Sequence, residues 1–120
     1  MRYFVTIAYE PGVWADASPE QQQRYHQQHL AFHRAVTERA QLVAGEALAG
    51  TDTATTLRHV DGRPVLTEGP FAETAEVVGG FYLVDADDLD VMTDLCRLLP
   101  EVYSLEIRPV VQIEGFETMP

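Results

Sequence analysis

Three histidines lie within one stretch of the chain whose apolar residues recur at helical spacing. His26, His29 and His33 stand at intervals of three and four residues, so their rings lie on neighbouring sides of one predicted helix. Imidazoles so placed could bind a metal ion, but zinc sites usually carry a further ligand at recognisable Cys or His spacing, and none is evident. We therefore expect no metal site.

His29 differs from the other two histidines because it shares its helix stripe with Tyr25 and Phe32. A titratable ring against an apolar wall has a pKa that its surroundings can tune across neutrality. The pattern predicts that His29 faces an internal cleft and acts as a general acid or base, while His26 and His33 face water. The alternative is a core histidine held by one hydrogen bond.

Acidic residues surround the rigid sequence Gly-Pro-Phe at residues 69–71. Glu68 precedes it, and Glu73 and Glu76 follow it. We expect one carboxylate, with Glu68 and Glu73 as the candidates, to point into the cleft and orient His29. The alternative is a turn that buries Phe71 and leaves the acids solvated, since turn chemistry alone explains a Gly-Pro pair.

Arg58 and Arg108 are positive charges within predicted strands. Each either pairs with a loop carboxylate or clamps an anionic group of a substrate in bidentate fashion. Trp14, beside the first loop, could cover a pocket or cap the edge of the core. Together with Tyr25 and Phe71, these residues form the predicted substrate-binding set.

The elements that must position these residues follow from residue patterns. Residues 2–9 are rich in β-branched and aromatic types and end at a Pro-Gly turn, which predicts a strand. Ser18 can cap a helix that runs to about Ala40. Gly45 and Gly50 predict a connection around Leu48.

The second half of the chain predicts three strands and a helix. Residues 54–60 and 63–68 flank Asp61-Gly62, a pair favoured in two-residue hairpin turns, with Pro64 placing the second strand at an edge. Residues 77–84 are apolar on both alternations and predict a central strand covered on both faces. Asp87 can cap a helix carrying Leu89, Met92, Cys96 and Leu99 and closed by Pro100, before a last strand at 105–111.

This order predicts a single α+β domain, residues 1–120, with a ferredoxin-like sheet, both helices on one face and an inserted β-hairpin. Two helices cover only one side of a sheet whose strands are apolar on both faces. Leaving the second face wet would expose a larger apolar patch than monomers usually tolerate. We therefore expect a homodimer formed sheet against sheet.

Composition excludes several classes of partner. The chain has 120 residues, 46% of them hydrophobic, and a formal net charge of -11. That charge repels nucleic acid and anionic membrane surfaces, so we expect neither as a partner. The single cysteine, Cys96, cannot form an internal disulfide, and neither a secretory signal nor a long apolar run is present, so we expect a cytoplasmic protein.

Four segments in order carry a resemblance to a known family: ATTLR at 54–58, TEGPFAETAE at 67–76, GGFY at 79–82 and EIRPV at 106–110. The chain resembles the YCII-related family, specifically its branch named for an Asp-Gly-Pro-Phe motif. Glu68 stands where that motif has Asp, and Ala75 where a Lys is usual. The resemblance implies a dimeric α+β barrel related to cofactor-free monooxygenases and muconolactone-isomerase-like proteins. It also implies that His29 is the histidine proposed as catalytic in YCII-related proteins.

The function predicted is a cofactor-independent enzyme, a lyase or isomerase that performs acid–base elimination or isomerisation on a small cyclic or aromatic molecule in the helix–sheet cleft. His29 would be the acid or base, and Arg58 or Arg108 would hold a developing oxyanion. No nucleotide-binding glycine pattern or nucleophile motif is present. The alternatives are a non-enzymatic small-molecule-binding or regulatory module, and a cofactor-free monooxygenase with a mainly aromatic pocket.

Overall fold

Six strands and two α-helices make up the fold in the computed structural model, which describes residues 1–72 and 75–116. Glu73, a predicted site residue, lies outside the described residues. The elements in chain order are β1 (Arg2–Tyr9), α1 (Pro19–Arg39), β2 (Gln41–Ala47), a 3₁₀ turn (Thr51–Thr53), β3 (Thr55–Val60), β4 (Arg63–Glu68), β5 (Val77–Asp85), α2 (Leu89–Cys96) and β6 (Ser104–Pro109).

Four strands form one antiparallel sheet in the order β2-β5-β1-β6. Both helices contribute to one buried cluster on one face of this sheet, α1 through Phe32 and Val36 and α2 through Met92 and Leu95. Sheet residues on the same side complete the core, among them Val5. The result is a mixed α+β fold compatible with the predicted ferredoxin-like architecture.

Helix α1 begins as its sequence predicts. The Ser18 hydroxyl accepts a hydrogen bond from the Gln21 backbone N–H, and the Gln21 side chain accepts one from the Ser18 N–H, so each residue satisfies a free donor of the other. Pro19 occupies the first turn, where its missing N–H has no cost. This cap fixes the start of the helix that carries the three histidines.

Strand β2 is not predicted by the residue patterns, and it includes Gly45, which those patterns place at the start of the connection around Leu48. The chain passes from α1 into the strand through Ala40, with neither Gly nor Pro at the junction. Gly45 lies opposite Tyr82 of β5, and a Cβ at position 45 would stand 2.5 Å from the Tyr82 ring. The glycine therefore makes room for an aromatic ring inside a strand. The local sequence does not reveal this role, because a glycine at this position resembles a turn residue.

The predicted hairpin forms, with Asp61 and Gly62 both at positive φ (52° and 79°), as the two-residue turn requires. Pro64 lies near the start of β4, where the missing N–H is tolerated. However, β3 and β4 pair with each other in a separate two-stranded sheet. The hairpin is thus not a part of the main sheet.

Helix α2 begins one residue later than predicted, because Asp88 and not Asp87 caps it. The Asp88 carboxylate accepts a hydrogen bond from the Val91 N–H at 2.9 Å. Leu89 at the helix start is exposed, whereas Cys96 is buried. Among the described residues, no helix is long and apolar enough to cross a membrane.

The second face of the main sheet is open within one chain. Strand β5 buries Tyr82 and Val84 against the helices, but Val78 remains 49% exposed, so the predicted cover on both faces is not supplied by this chain alone. Phe4 of β1 stacks on Phe81 of β5 on the open side, with ring centroids 5.3 Å apart. This open face is apolar at its centre.

Candidate functional site

A cavity of about 770 Å³ opens between helix α1 and the main sheet. Its wall combines one side of α1 with the first loop, residues 45–52 and residues 77–82. Most of the lining is apolar. The polar residues are few, namely the three histidines of α1, three tyrosines, Trp14, Thr51, Glu46 and Asp52. Glu46 lies opposite Phe81 in the sheet register, so its side chain is directed to the open face of the sheet.

His29 lies half-buried in this wall between two tyrosine hydroxyls. Its Nδ1 is 2.6 Å from the Tyr82 oxygen, and its Nε2 is 2.8 Å from the Tyr103 oxygen. Tyr82 projects from β5, and Tyr103 stands just before β6. Both hydrogen-bonding positions of the ring are therefore occupied by phenols, which hold the ring in one orientation.

Each of these tyrosines has a second partner. The indole N–H of Trp14 donates to the Tyr103 oxygen at 3.1 Å. On the other side, His33 Nε2 lies 3.0 Å from the Tyr82 oxygen. The side chain of His33 is exposed, as predicted, but it also borders the cavity and joins the polar network, as the prediction did not foresee.

Burial is the main influence on the ionisation of this network. It lowers the pKa of His29 to about 4, with smaller contributions in the same direction from the neighbouring charges of His33 and His26. Burial also raises the pKa values of Tyr82 and Tyr103 to about 12. At neutral pH the site therefore contains a neutral imidazole and two protonated phenols.

We expect His29 to make folding stability sensitive to acid. Its folded-state pKa is lowered, so its contribution is complete above the unfolded value of 6.5 and is lost as the pH falls to about 4. Because the ring is only half-buried, the loss should be about 1–2 kcal/mol. Urea unfolding of the wild type and of His29→Gln across this interval measures it.

The matched control for this measurement is His59→Gln, which changes an exposed histidine on the hairpin. The control should keep the wild-type pH dependence, whereas His29→Gln should lose part of it. Equal pH dependence in the wild type and His29→Gln would contradict the burial of a neutral imidazole.

The carboxylate predicted to orient His29 is replaced by the two phenols. Glu68 ends β4 in the separate hairpin, its side chain is exposed, and it is not one of the described residues that line the cavity. The physical reason is the hairpin itself, which pairs internally and carries Glu68 with it. Glu76 is also not among the residues lining this cavity.

Neither predicted arginine lines the cavity. The Arg58 guanidinium donates to the Phe71 backbone carbonyl, so it ties the Gly-Pro-Phe segment to β3. Arg108 lies opposite Phe4 in the sheet register and therefore on the open face. Phe71 is 76% exposed, so the turn does not bury it within one chain.

The two remaining predicted residues are at the cavity or next to it. Trp14 lines the cavity, and its ring centroid is 6.5 Å from that of His29. Tyr25 packs edge-on against Trp14 at 5.3 Å and supports it from behind. Trp14 is thus in a position to contact a ligand, and Tyr25 is in a position to hold Trp14.

Sequence reasoning missed the two tyrosines that contact His29. Tyr82 carried a usable signal, because it alternates with Val84 in a central strand and so shares the helix-facing side. Tyr103 carried none, since it follows a turn after α2 and its position depends on the packing of the whole chain. Among the described residues, no three His, Cys, Asp or Glu side chains are grouped so as to hold a metal ion.

Comparison with known proteins places the chain in a family. The model of the YCII-related domain matches residues 1–114. A protein of Rhizobium meliloti (strain 1021), described as uncharacterized, is 36% identical over 114 residues, which cover 92% of each chain. The chain therefore belongs to the YCII-related domain family.

Proposed function

We propose that this protein is a cofactor-independent enzyme that performs acid–base elimination or isomerisation on a small cyclic or aromatic molecule bound in the cavity. The observation that carries the proposal is the neutral His29 in an apolar wall, with both ring nitrogens hydrogen-bonded to phenols. A structural histidine needs only one partner. Two partners, both of which can donate or accept, suit a group that must exchange protons.

The tyrosine hydroxyls can also stabilise negative charge on a substrate, the role predicted for Arg58 and Arg108, neither of which lines the cavity. Elimination and isomerisation create negative charge on the substrate as a proton leaves carbon. Hydroxyl donors at the wall of an apolar cavity stabilise such charge more strongly than they would in water. Tyr9 and Tyr103 line the cavity, and their rings lie 5.6 Å apart. Of the two, Tyr9 is the better placed to donate to a developing oxyanion, because the Tyr103 hydroxyl already contacts His29 and Trp14.

The proposed activity can be tested with nitrobenzisoxazole, a neutral bicyclic aromatic. A base removes its acidic C–H proton, the electron pair forms a nitrile, and the N–O bond breaks to release a coloured nitrophenolate. We expect saturable release by the wild-type protein. Release no faster than that with an equal concentration of free imidazole would contradict the proposal.

We expect the ligand to be uncharged or cationic. The described residues that line the cavity include the acidic Asp52 but neither lysine nor arginine, so a carboxylate would lose its hydration without gaining a counter-ion. Naphthylmethanol should bind at least about 10-fold more tightly than naphthoic acid, which corresponds to about 1.4 kcal/mol. Isothermal titration of the two compounds measures the ratio.

Asp52→Asn provides the matched variant for this preference, because Asp52 also lines the cavity. Removing one carboxylate from the wall should narrow the difference between the two ligands, while binding of the alcohol changes little. Tighter binding of naphthoic acid than of naphthylmethanol to the wild type would show that the ligand charge is assigned wrongly.

Within the family, we assign the chain to the branch named for an Asp-Gly-Pro-Phe motif. The support is the ordered set of segments around residues 69–71, with Glu68 in place of Asp. In this chain the segment has a structural role, because Arg58 binds the carbonyl of Phe71. We place the chemistry at His29 and not at this motif.

We further propose that the protein acts as a homodimer joined through the open face of the main sheet. The accessible surface of one chain is 8761 Å², whereas a compact monomer of this mass exposes about 6,500 Å². The radius of gyration is 16.6 Å, against about 13.6 Å for a compact domain of this length. The excess of roughly 2,300 Å² is shared between the open sheet face and the separate hairpin, and it is comparable to what one subunit of a permanent dimer buries.

A further inference from the structure

Both nitrogens of His29 are occupied, which constrains how the ring can act. A neutral imidazole has one N–H and one lone pair, so it donates to one phenol and accepts from the other. With Tyr82 at Nδ1 and Tyr103 at Nε2, no lone pair of the ring is left for a substrate. A proton that leaves the substrate must therefore reach His29 through a tyrosine hydroxyl.

The hydrogen bonds continue beyond the two tyrosines in a single line. At one end the Trp14 N–H can only donate, so the Tyr103 oxygen accepts from it. At the other end the Tyr82 oxygen lies 3.0 Å from His33 Nε2, and His33 is exposed to solvent. The line thus runs from the cavity wall to the surface of helix α1.

Two hydrogen arrangements make every contact in this line a hydrogen bond and also use the Tyr82 hydroxyl proton within it. A third, in which Tyr82 accepts from both histidines, leaves that proton outside the line and cannot relay a proton. In the first, Tyr103 donates to His29 Nε2, His29 Nδ1 donates to Tyr82, and Tyr82 donates to His33 Nε2. In the second, His33 Nε2 donates to Tyr82, Tyr82 donates to His29 Nδ1, and His29 Nε2 donates to Tyr103. The two arrangements differ by the direction of every bond between Tyr103 and His33, which is the property of a proton relay.

We propose that Tyr103 is the catalytic residue that removes the proton from the substrate, and that His29, Tyr82 and His33 are positioning residues that pass a proton to solvent. This inference rests on the acid–base function proposed above. Tyr103 is preferred to Tyr82 because it is partly exposed, whereas Tyr82 is 7% exposed and already lies between two histidines.

Each bond in the step is accounted for. The substrate C–H bond breaks, its proton bonds to the Tyr103 oxygen, and its electron pair stays on the substrate to expel a leaving group or form an enolate. The former Tyr103 proton moves to His29 Nε2, the Nδ1 proton moves to Tyr82, and the former Tyr82 proton moves to His33 Nε2. Water then takes a proton from the exposed His33 ring.

Concerted transfer is what makes a tyrosine usable here. Burial raises the pKa of Tyr103 to about 12, so a free phenolate would be costly at neutral pH. In the relay, Tyr103 gives up its own proton to His29 as it takes the proton of the substrate. The phenolate therefore never accumulates.

The first test reads the hydrogen positions directly, without turnover. Nitrogen NMR of histidine-labelled protein, at a pH where both rings are neutral, reports which nitrogen of each ring carries the proton. The relay requires His29 and His33 to carry it on like nitrogens, both Nδ1 or both Nε2. In Tyr82→Phe, His33 should revert to the tautomer mixture of the exposed His59. Protons on unlike nitrogens in the wild type would overturn the relay.

The second test follows nitrobenzisoxazole turnover in variants. Tyr103→Phe should lower kcat/KM by about 100-fold or more. His33→Gln should be rescued by added imidazole, which can carry the last proton away, while the wild type should not respond. A merely structural role of His33 would not produce this rescue.

The outcomes separate this inference from the function on which it rests. Turnover that requires His29 but persists in Tyr103→Phe would leave the acid–base function in place and overturn the role of Tyr103. If the wild type does not turn over the probe, the proposed function is contradicted, and the NMR result alone decides whether the hydrogen bonds form the relay.

Discussion

His29→Gln should lower kcat/KM for nitrobenzisoxazole by about 100- to 10,000-fold, the usual contribution of a general acid or base. Glutamine fills a similar volume and can still hydrogen-bond to Tyr82 and Tyr103, but it cannot accept a proton at neutral pH. Stopped-flow or steady-state absorbance of the released nitrophenolate measures the loss. Melting temperature and oligomeric state, measured alongside, should remain near those of the wild type.

The pH dependence of kcat/KM should show whether His29 is the group responsible for the proposed activity. The rate requires the neutral His29 ring, so kcat/KM should fall as the pH decreases through about 4. His59→Gln should keep this profile, because His59 is an exposed residue of the hairpin. If kcat/KM of His29→Gln still falls over the same pH range, the ionisation belongs to another group. That result would favour a protein whose cavity only binds its ligand.

The sequence was sufficient to find His29 because the signal is local. A helix stripe is set by residues three and four positions apart, and Tyr25 and Phe32 lie that close along the chain. The partners of the ring are not local. Tyr82 is 53 residues away and Tyr103 is 74 residues away, so their meeting with His29 depends on sheet register and on the turn after α2.

The positions of the charged residues also depend on contacts that are not local in the sequence. Glu68, Arg58 and Arg108 were assigned to the cleft because their charges suited the chemistry, yet two of them lie on a hairpin that pairs with itself. The alternation of residues in a predicted strand does not indicate which sheet the strand will join. A sequence shows a charged residue directly but does not show which tyrosine hydroxyl will be buried and hydrogen-bonded. In this protein, tyrosine hydroxyls and not charged side chains contact His29.

Predictions about elements succeeded where a side chain or turn imposes a backbone conformation. The Ser18 cap and the Asp61-Gly62 turn fall where expected because each satisfies a specific local requirement. Strand β2 was missed because Gly45 resembles a turn residue. Its role is set by the Tyr82 ring of another strand, which no local pattern of residues 41–47 contains.

Phe4→Asp should convert the proposed homodimer into a monomer. Phe4 stacks on Phe81 on the open face of the main sheet, and in a two-fold interface one substitution introduces a carboxylate from each copy. Even beside Arg108, which lies opposite position 4, a carboxylate that leaves water costs desolvation energy, and the aromatic stack is lost. The dissociation constant should therefore rise by about 100-fold or more. Sedimentation across a dilution series measures it, and unfolding of the wild type should depend on protein concentration.

Leu89→Asp is the matched control, because Leu89 is also exposed in one chain but lies at the start of α2 on the helix side. Asp in the first turn of a helix is favourable, so this variant should remain dimeric. The interface proposal fails if the wild type sediments as a monomer at micromolar concentration, or if Phe4→Asp and Leu89→Asp weaken association equally. Loss of the dimer in Phe4→Asp with His29 still neutral at pH 7 would further show that the hydrogen-bonded line from Trp14 to His33 is built within one chain.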